Sequence, residues 1–173
     1  MKVWDGSTWV DTDAVGLIDV KSVTKTDTFS ASVAAGANVA VTDLSITHEV
    51  SDPSNKLIIT AIFGIVASNA GRADVGIAIH DGTSLIAVGD TAGSRSVVGA
   101  GGPNGGATSV TNTANRAVSF VHVPGAGSKT YTVRAVNIED NTRTLYINRT
   151  DNDGDFASRS RSASSLVIQE VSV

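Results

Sequence analysis

Apolar and polar residues alternate along most of this chain with the period of two that is typical of β-strands. The alternation is clear over residues 38–47, where valine, leucine and isoleucine are separated by polar or small residues. It recurs over residues 116–123, 129–138 and 143–149. No stretch sustains the i, i+3, i+4, i+7 spacing of an amphipathic helix. The pattern predicts an all-β protein.

Turn signals divide the chain into short strands. The segment 51–55 predicts a turn, and Asp81-Gly82 predicts a hairpin because glycine adopts positive φ at little cost. Residues 57–67 are almost continuously apolar, which indicates a strand buried on both faces, either in a sandwich core or between subunits. The final segment, 164–173, is dense in valine, leucine and isoleucine, so we expect it to take a central position. About eight to ten strands are predicted after an N-terminal hairpin, which suits a β-sandwich or jelly roll.

The first twelve residues predict that hairpin. Trp4 and Trp9 flank a turn signalled by Asp5 and Gly6, and they are the two tryptophans of the chain. An isolated hairpin is marginally stable in water, so this one should rest on another surface. That surface is either the main domain or another protein, and we favour the second. We therefore divide the chain into a hairpin and linker over 1–23 and a β domain over 24–173.

Composition narrows the classes of partner. The chain of 173 residues has a formal charge of −4 and no basic run, which argues against binding to nucleic acid through phosphates. It contains no cysteine, so disulfides and thiolate metal sites are excluded. The N-terminus lacks the apolar segment of a signal peptide, and residues 57–67 are too short to span a bilayer. We expect a soluble protein that is made in the cytoplasm and does not insert into a membrane.

The candidate chemistry points away from an enzyme. His48, His80 and His122 show neither metal-ligand spacing nor a nucleophile elbow beside them. No spacing selects a catalytic pair of carboxylates, and aromatic residues, at 5%, leave little for stacking on a sugar ring. The glycine-rich segment 99–109 lacks the lysine of a phosphate-binding loop. We therefore predict no catalytic residues and no cofactor.

One acidic segment between the last two predicted strands resembles a calcium loop at first sight. Asp151, Asp153 and Asp155 alternate as calcium ligands do, but such a loop needs glycine at its sixth position and a bidentate glutamate at its twelfth. Those positions hold Phe156 and Ser162. The three aspartates are therefore weak metal candidates, and a polar connection between strands is the favoured interpretation.

The order and spacing of these segments resemble a jelly-roll domain of bacteriophage tail fibres and other virion appendage proteins. The resemblance covers roughly residues 24–173, and the opening residues 3–10 look like the tryptophan-containing element near the N-termini of phage virion proteins. The stretches that carry it are residues 24–33, 44–68, 76–90, 128–136 and 145–171.

The resemblance implies a non-enzymatic, homotrimeric virion protein with a tumour-necrosis-factor-like fold that attaches to a host surface glycan or protein. In that case Trp4, Asp5, Gly6 and Trp9 would anchor it to other virion proteins. The chain departs from the family in length, because a tail fibre usually has a long shaft ahead of this domain. A head fibre or a capsid decoration protein without a receptor role is the alternative, and a polysaccharide-cleaving enzyme or an unrelated carbohydrate-binding sandwich is a weaker one.

Two further sets of residues follow from this interpretation. Loops on a rigid β scaffold commonly carry binding surfaces, so the long polar segment 91–115 is the predicted receptor loop, with Arg95, Asn104 and Asn112 as candidates.

Charges at a buried subunit interface are costly unless paired. We therefore predict that Arg149, Asp153 and Arg161 pair within or between subunits; in the trimer, residues 57–66 and 164–171 would supply the apolar contacts.

Overall fold

A computed structural model describes residues 2–4, 6–7, 9–11, 16–70, 73–102 and 113–172. These residues form strands and turns, and among them no helix is long and apolar enough to cross a membrane. Their twelve strands are β1 (Lys2–Trp4), β2 (Trp9–Asp11), β3 (Leu17–Lys25), β4 (Phe29–Val33), β5 (Asn38–Val50), β6 (Lys56–Ser68), β7 (Val75–His80), β8 (Leu85–Ile86), β9 (Ala114–His122), β10 (Gly127–Asn137), β11 (Arg143–Ile147) and β12 (Ser164–Val171).

The first large sheet consists of four rows of strands. β12 pairs with the first half of β6, and β11 pairs with its end. Val66 pairs with both Ile147 of β11 and Ala114 of β9, so β11 lies on the same edge of β6 as β12, opposite β9. β3 and β4 pair in turn with the outer edges of β12 and β11. The rows are therefore β3 with β4, β12 with β11, β6, and β9.

The second sheet has the order β5-β10-β7-β8, and every pairing in both sheets is antiparallel. Eight antiparallel rows in two such sheets make a jelly roll, which confirms the predicted fold class. The two inner faces bury large side chains, each of which contributes about 1.5–3 kcal/mol. The largest apolar or aromatic ones are Leu57, Ile59, Phe63, Leu145, Ile147, Leu166 and Ile168 in the first sheet, and Leu44, Ile77, Ile79 and Tyr131 in the second.

Several sequence predictions are confirmed with changes of detail. β12 lies between β3 and β6, so the final strand is central, as predicted. The Asp81-Gly82 turn joins β7 to β8, and Gly82 has φ of +94°. β8, the second strand of this hairpin, ends after two residues, because Ala87 adopts a φ of +53°.

β6 is not buried on both faces within one chain. Its inner residues are fully buried, whereas Ile58 is half-buried and Ile62 is 39% exposed on the outer face. The apolar run therefore reflects one core face and one apolar outer face. Burial of that outer face between subunits stays a prediction.

The N-terminal hairpin forms a separate two-stranded sheet in which Trp4 pairs with Trp9. Trp4 and Trp9 form its last pair, so the strands are not joined by the two-residue turn that was predicted, and Gly6 has φ of +100°. The jelly roll begins at β3, so the predicted boundary at residue 23 falls inside this strand.

Candidate functional site

The segment that follows β8 folds back onto β7. Ile77 donates its backbone N–H to the Ala100 carbonyl at 2.8 Å, and Gly99 donates to the Ile77 carbonyl at 2.8 Å. Val98 packs against Gly76, where any Cβ would clash with the valine side chain. Residues 98–100 of the predicted receptor loop are therefore docked on the scaffold.

Arg116 of β9 fixes the end of that segment. Its guanidinium donates to the carbonyls of Val75 at 2.9 Å, Ala73 at 2.8 Å and Gly102 at 3.0 Å. Burial lowers the pKa of Arg116 and the nearby Asp74 opposes that shift, but an arginine keeps its charge. The sequence pattern placed this arginine in a strand and gave no sign of its role.

Asn137 organises the turn that faces the same segment. Its buried side-chain amide donates to the carbonyls of Val33 at 2.9 Å and Asn141 at 2.8 Å, and its side-chain oxygen accepts from the Glu139 N–H at 3.0 Å. The Ser96 hydroxyl donates to the Asn137 carbonyl at 3.4 Å. These contacts hold the segment and the turn after β10 next to each other.

A cleft of about 350 Å³ lies between the segment and the turn. Its lining combines two apolar side chains, glycine backbone, two hydroxyls, one cation and one anion. The lining residues are Ser94, Arg95, Ser96, Val98, Gly101, Gly102, Ile138 and Asp140. Arg95, a predicted receptor-loop residue, thus lies in this cleft, while Asn104 and Asn112 lie outside the described residues.

The acidic segment leaves the sheet between β11 and β12, which are parts of one row. Asn148 begins it at φ of +63°, a conformation that asparagine tolerates better than most residues. Its buried amide donates to the carbonyls of Lys25 at 2.9 Å and Asp27 at 3.0 Å. Its side-chain oxygen accepts from the Ser164 hydroxyl at 2.6 Å. Asn148 therefore connects the end of β11 to the start of β12 and to the end of β3, at the point where the row is interrupted.

Within the segment the charges pair with each other. Arg161 Nε donates to Asp153 Oδ1 at 3.1 Å, and Arg149 Nε lies 3.9 Å from Asp153 Oδ2. Arg149 also stacks 4.6 Å from the centre of the Tyr146 ring. The structure thus brings the three predicted residues together inside one chain.

The aspartates do not gather around a common point. No group of three potential metal ligands occurs among the described residues, which include Asp151, Asp153 and Asp155. Asp153 faces two guanidinium groups, and the carbonyl of Asp151 accepts a hydrogen bond from Arg149 at 2.8 Å. This arrangement suits a self-contained polar excursion.

A buried polar contact between the sheets has no counterpart among the sequence predictions. Glu170 of β12 and His48 of β5 are both within 1% of complete burial, and His48 Nε2 lies 2.7 Å from Glu170 Oε2. The other Glu170 oxygen accepts from the Asn55 amide at 2.6 Å and the Ser51 hydroxyl at 2.9 Å. His48 Nδ1 lies 3.8 Å from Asp19. The period-two pattern could have found the pair, because it assigns both residues to inner faces.

The surroundings of Glu170 keep it ionised. Burial alone would raise its pKa, but hydrogen bonds from Asn55, His48 and Ser51 together lower the pKa to about 2. An ionised carboxylate is an acceptor only, so His48 Nε2 carries the proton and donates. Because both groups are sealed in the core, the contact joins the sheets and offers no surface to a substrate.

The other two histidines have local partners. His80 Nδ1 accepts a hydrogen bond from the Gly82 N–H at 3.0 Å. His122 lies edge-on to Tyr131, with ring centres 5.9 Å apart, and burial lowers the pKa of His122.

For the predicted anchor, the structure describes the backbone pairing of Trp4 with Trp9 and an exposed Gly6, while Asp5 lies outside the described residues.

No protein-family model matches the chain, and no curated protein matches it in sequence. It is similar to a chain in the structure of infectious bursal disease virus Gx strain, with 14% identity and a TM-score of 0.45. The match covers 99% of this chain and 41% of that one, so the chain spans about two fifths of the viral chain's length. A likeness of this size concerns the path of the backbone and carries no conclusion about function.

Proposed function

We propose that this chain is a non-enzymatic virion structural protein of the fibre or receptor-binding type, made in a host cytoplasm and assembled into the particle. The observation that carries the proposal is the cleft beside Arg95, which is held between a docked segment and a fixed turn of a rigid jelly roll. Such scaffolds commonly present binding loops. The sequence resemblance to phage appendage proteins supports the same role.

In this proposal the N-terminal hairpin anchors the protein to other virion proteins. It forms its own two-stranded sheet, and the two tryptophan positions lie opposite each other across it. Tryptophan is enriched at the energetic centres of protein interfaces. Attachment through Trp4 and Trp9 would leave the jelly roll free to meet the host surface.

We further propose that the jelly roll forms a homotrimer through the outer face of its first sheet. Among the outward positions of β3, β12, β6 and β9, Lys56 is the sole charged residue, and the others are mostly valine, isoleucine, serine and threonine. Val20, Ile62 and Val121 are exposed there by 47%, 39% and 61%. A face that combines exposed apolar side chains with almost no charge suits a protein contact.

Arg149, Asp153 and Arg161 would then add polar contacts at the edge of the trimer. Arg161 is more than half exposed in the single chain, so its side chain is available to a neighbouring copy. Arg161→Ala should weaken assembly, as measured by the concentration at which the trimer dissociates. An unchanged dissociation concentration would remove these residues from the interface.

Adsorption separates the proposed role from its alternatives. The purified protein should bind host cells and, when added before the virus, reduce infection. Binding to purified capsids alone would identify a decoration protein. Release of sugar from host polysaccharide would identify an enzyme and contradict the proposal.

A further inference from the structure

We infer that the cleft between residues 94–102 and the turn at 138–140 binds one neutral sugar ring through neighbouring hydroxyl groups. The inference rests on the proposed host-attachment role and specifies its ligand class. The juxtaposition that carries it is Arg95 and Asp140 in one cleft with the apolar side chains of Val98 and Ile138.

The cleft is built before any ligand arrives. One side is fixed to β7 by the backbone bonds of Ile77 and to Arg116 through the Gly102 carbonyl. The other side is the turn after β10, which the Asn137 side chain holds through hydrogen bonds to backbone groups of Glu139 and Asn141. The Ser96 hydroxyl connects the two sides by donating to the Asn137 carbonyl. A preformed cleft spends little binding free energy on ordering its walls.

The charges of the lining favour a neutral, polyhydroxylated ligand. Arg95 and Asp140 are exposed, and no side-chain hydrogen bond or ion pair to another described residue engages either one. A guanidinium can only donate and a carboxylate can only accept, whereas a hydroxyl does both. Neighbouring hydroxyls of a sugar can therefore satisfy both groups. An anion would face Asp140 and a cation would face Arg95, so each would be opposed.

The remaining lining matches the rest of a sugar ring. Val98 and Ile138 offer aliphatic contact to the C–H face of the ring, and Ser94 and Ser96 offer further hydroxyl partners. A volume of about 350 Å³ lies at the low end of the range for small-molecule sites. The cleft therefore suits a single ring, with the rest of a glycan extending into solvent.

Binding to one cleft should be weak, because the lining contains no aromatic ring for stacking. Several copies of the protein on one particle would raise the apparent affinity without any additional contact per site. Weak single sites with strong combined adhesion suit reversible attachment to a cell surface.

The test is a titration of the isotopically labelled full chain, followed by amide chemical shifts. The probes are methyl α-D-glucopyranoside, methyl α-D-mannopyranoside and methyl β-D-galactopyranoside, with inorganic sulfate as the charged comparison. At least one glycoside should shift the amides of residues 94–102 and 138–140, and sulfate should not. Arg95→Ala and Asp140→Asn should each weaken that binding about tenfold or more, because the first removes the charged donors and the second replaces a charged acceptor by a neutral amide.

Asp90→Asn is the matched control. Asp90 is an exposed aspartate of the segment that follows β8, and it does not line the cleft. It should bind the glycoside as the natural chain does. Absence of glycoside shifts in this region, preference for sulfate, or unchanged affinity in both cleft variants would overturn the inference.

The same proteins distinguish this inference from the proposed function. Adsorption to host cells without any glycoside binding would refute the sugar site and leave the attachment role in place. Glycoside binding without adsorption would retain the site and refute the attachment role. Loss of adsorption in Arg95→Ala and Asp140→Asn, but not in Asp90→Asn, would connect the two.

Discussion

Glu170 and His48 meet inside the core, where an ionised carboxylate is costly unless every lone pair finds a donor. Three side chains supply those donors, namely His48, Asn55 and Ser51. The contact therefore joins β12 of one sheet to β5 of the other and to the 51–55 turn. Its free energy depends on the charge of a single carboxyl group.

Glu170→Gln should lower the free energy of unfolding by about 3 kcal/mol at pH 7, which corresponds to the shift of the Glu170 pKa from 4.5 to about 2. The folded-state pKa is depressed, so the stabilisation is present above pH 4.5 and is lost as the pH falls towards 2. Urea unfolding across this range measures it.

The control for that prediction is Glu49→Gln, because Glu49 is the exposed neighbour of His48 on β5. This variant should keep the stability and the acid sensitivity of the natural chain. If Glu170→Gln lost as much stability between pH 4.5 and 2 as the natural chain, the assignment to Glu170 would be wrong.

Asn148 combines two requirements at one position, a positive φ and four side-chain hydrogen bonds, of which those with the Lys25 carbonyl and the Ser164 hydroxyl are buried. Asn148→Ala should cost about 2–4 kcal/mol, because it leaves the carbonyls of Lys25 and Asp27 without this donor. Asn148→Gly should be about 1 kcal/mol less harmful, since glycine accepts positive φ. Equal losses in urea unfolding would show that the backbone conformation contributes nothing.

At the scale of elements, the acidic excursion interrupts one row of the first sheet. Ile147 pairs with Val66 and Ser165 pairs with Ile62, so the excursion stands opposite a gap of three residues on β6. Its ends approach closely, with the Ser162 N–H donating to the Asn148 carbonyl at 3.4 Å. The excursion therefore starts and ends at one place on the sheet.

Replacing residues 150–161 by two glycines should leave the jelly roll folded, because the ends are already adjacent and a shorter loop costs less entropy to close. Far-ultraviolet circular dichroism should be unchanged apart from the shorter chain. A matched variant that also carries Asn148→Ala should be much less stable. Unfolding of the first variant would show that the excursion itself supports the sheet.

For the whole molecule, the decisive surface is the outer face of the first sheet. The second sheet's outer face carries Ser45, Thr47 and the charged Glu49 on β5, whereas the first adds exposed valine and isoleucine to its serine and threonine and has Lys56 as its sole charge on β3, β12, β6 and β9. This asymmetry is the physical basis for expecting subunits to meet through the first sheet.

Val121→Asp should convert the proposed trimer into a monomer, because each subunit would bury an unpaired charge at the contact. Sedimentation should give three times the chain mass of 17.6 kDa for the natural protein and one chain mass for the variant. Ser45→Asp, on the other sheet, is the control and should remain trimeric. A natural protein that sediments as a monomer would refute the trimer.

The hairpin should act separately from assembly of the jelly roll. Trp4→Ala combined with Trp9→Ala should abolish incorporation into particles, as measured by the protein content of purified virions, because it removes the proposed anchor. The trimer should persist, since the hairpin forms its own sheet. Loss of the trimer would contradict the anchor role.

Period-two alternation was sufficient to predict the strands, because the inner and outer faces of a half-buried sheet differ in polarity at every second residue. Alternation placed β5 and β10 closely, the continuous apolar run at 57–67 placed β6, and the density of valine, leucine and isoleucine at 164–173 placed β12. Local turn chemistry identified the Asp81-Gly82 hairpin. These patterns could not predict that β11 and β12 share a row, since that depends on which edge of β6 each one pairs with.

By itself, therefore, the sequence determined that this chain is an all-β sandwich and where its long polar segments leave the sheets. The tertiary structure alone decided which distant residues meet. It placed His48 against Glu170, Asn148 against the 25–27 turn, and Arg95 in one cleft with Asp140. The physical reason is that polarity patterns are local along the chain, whereas these contacts join residues brought together only when the sheets pair and pack.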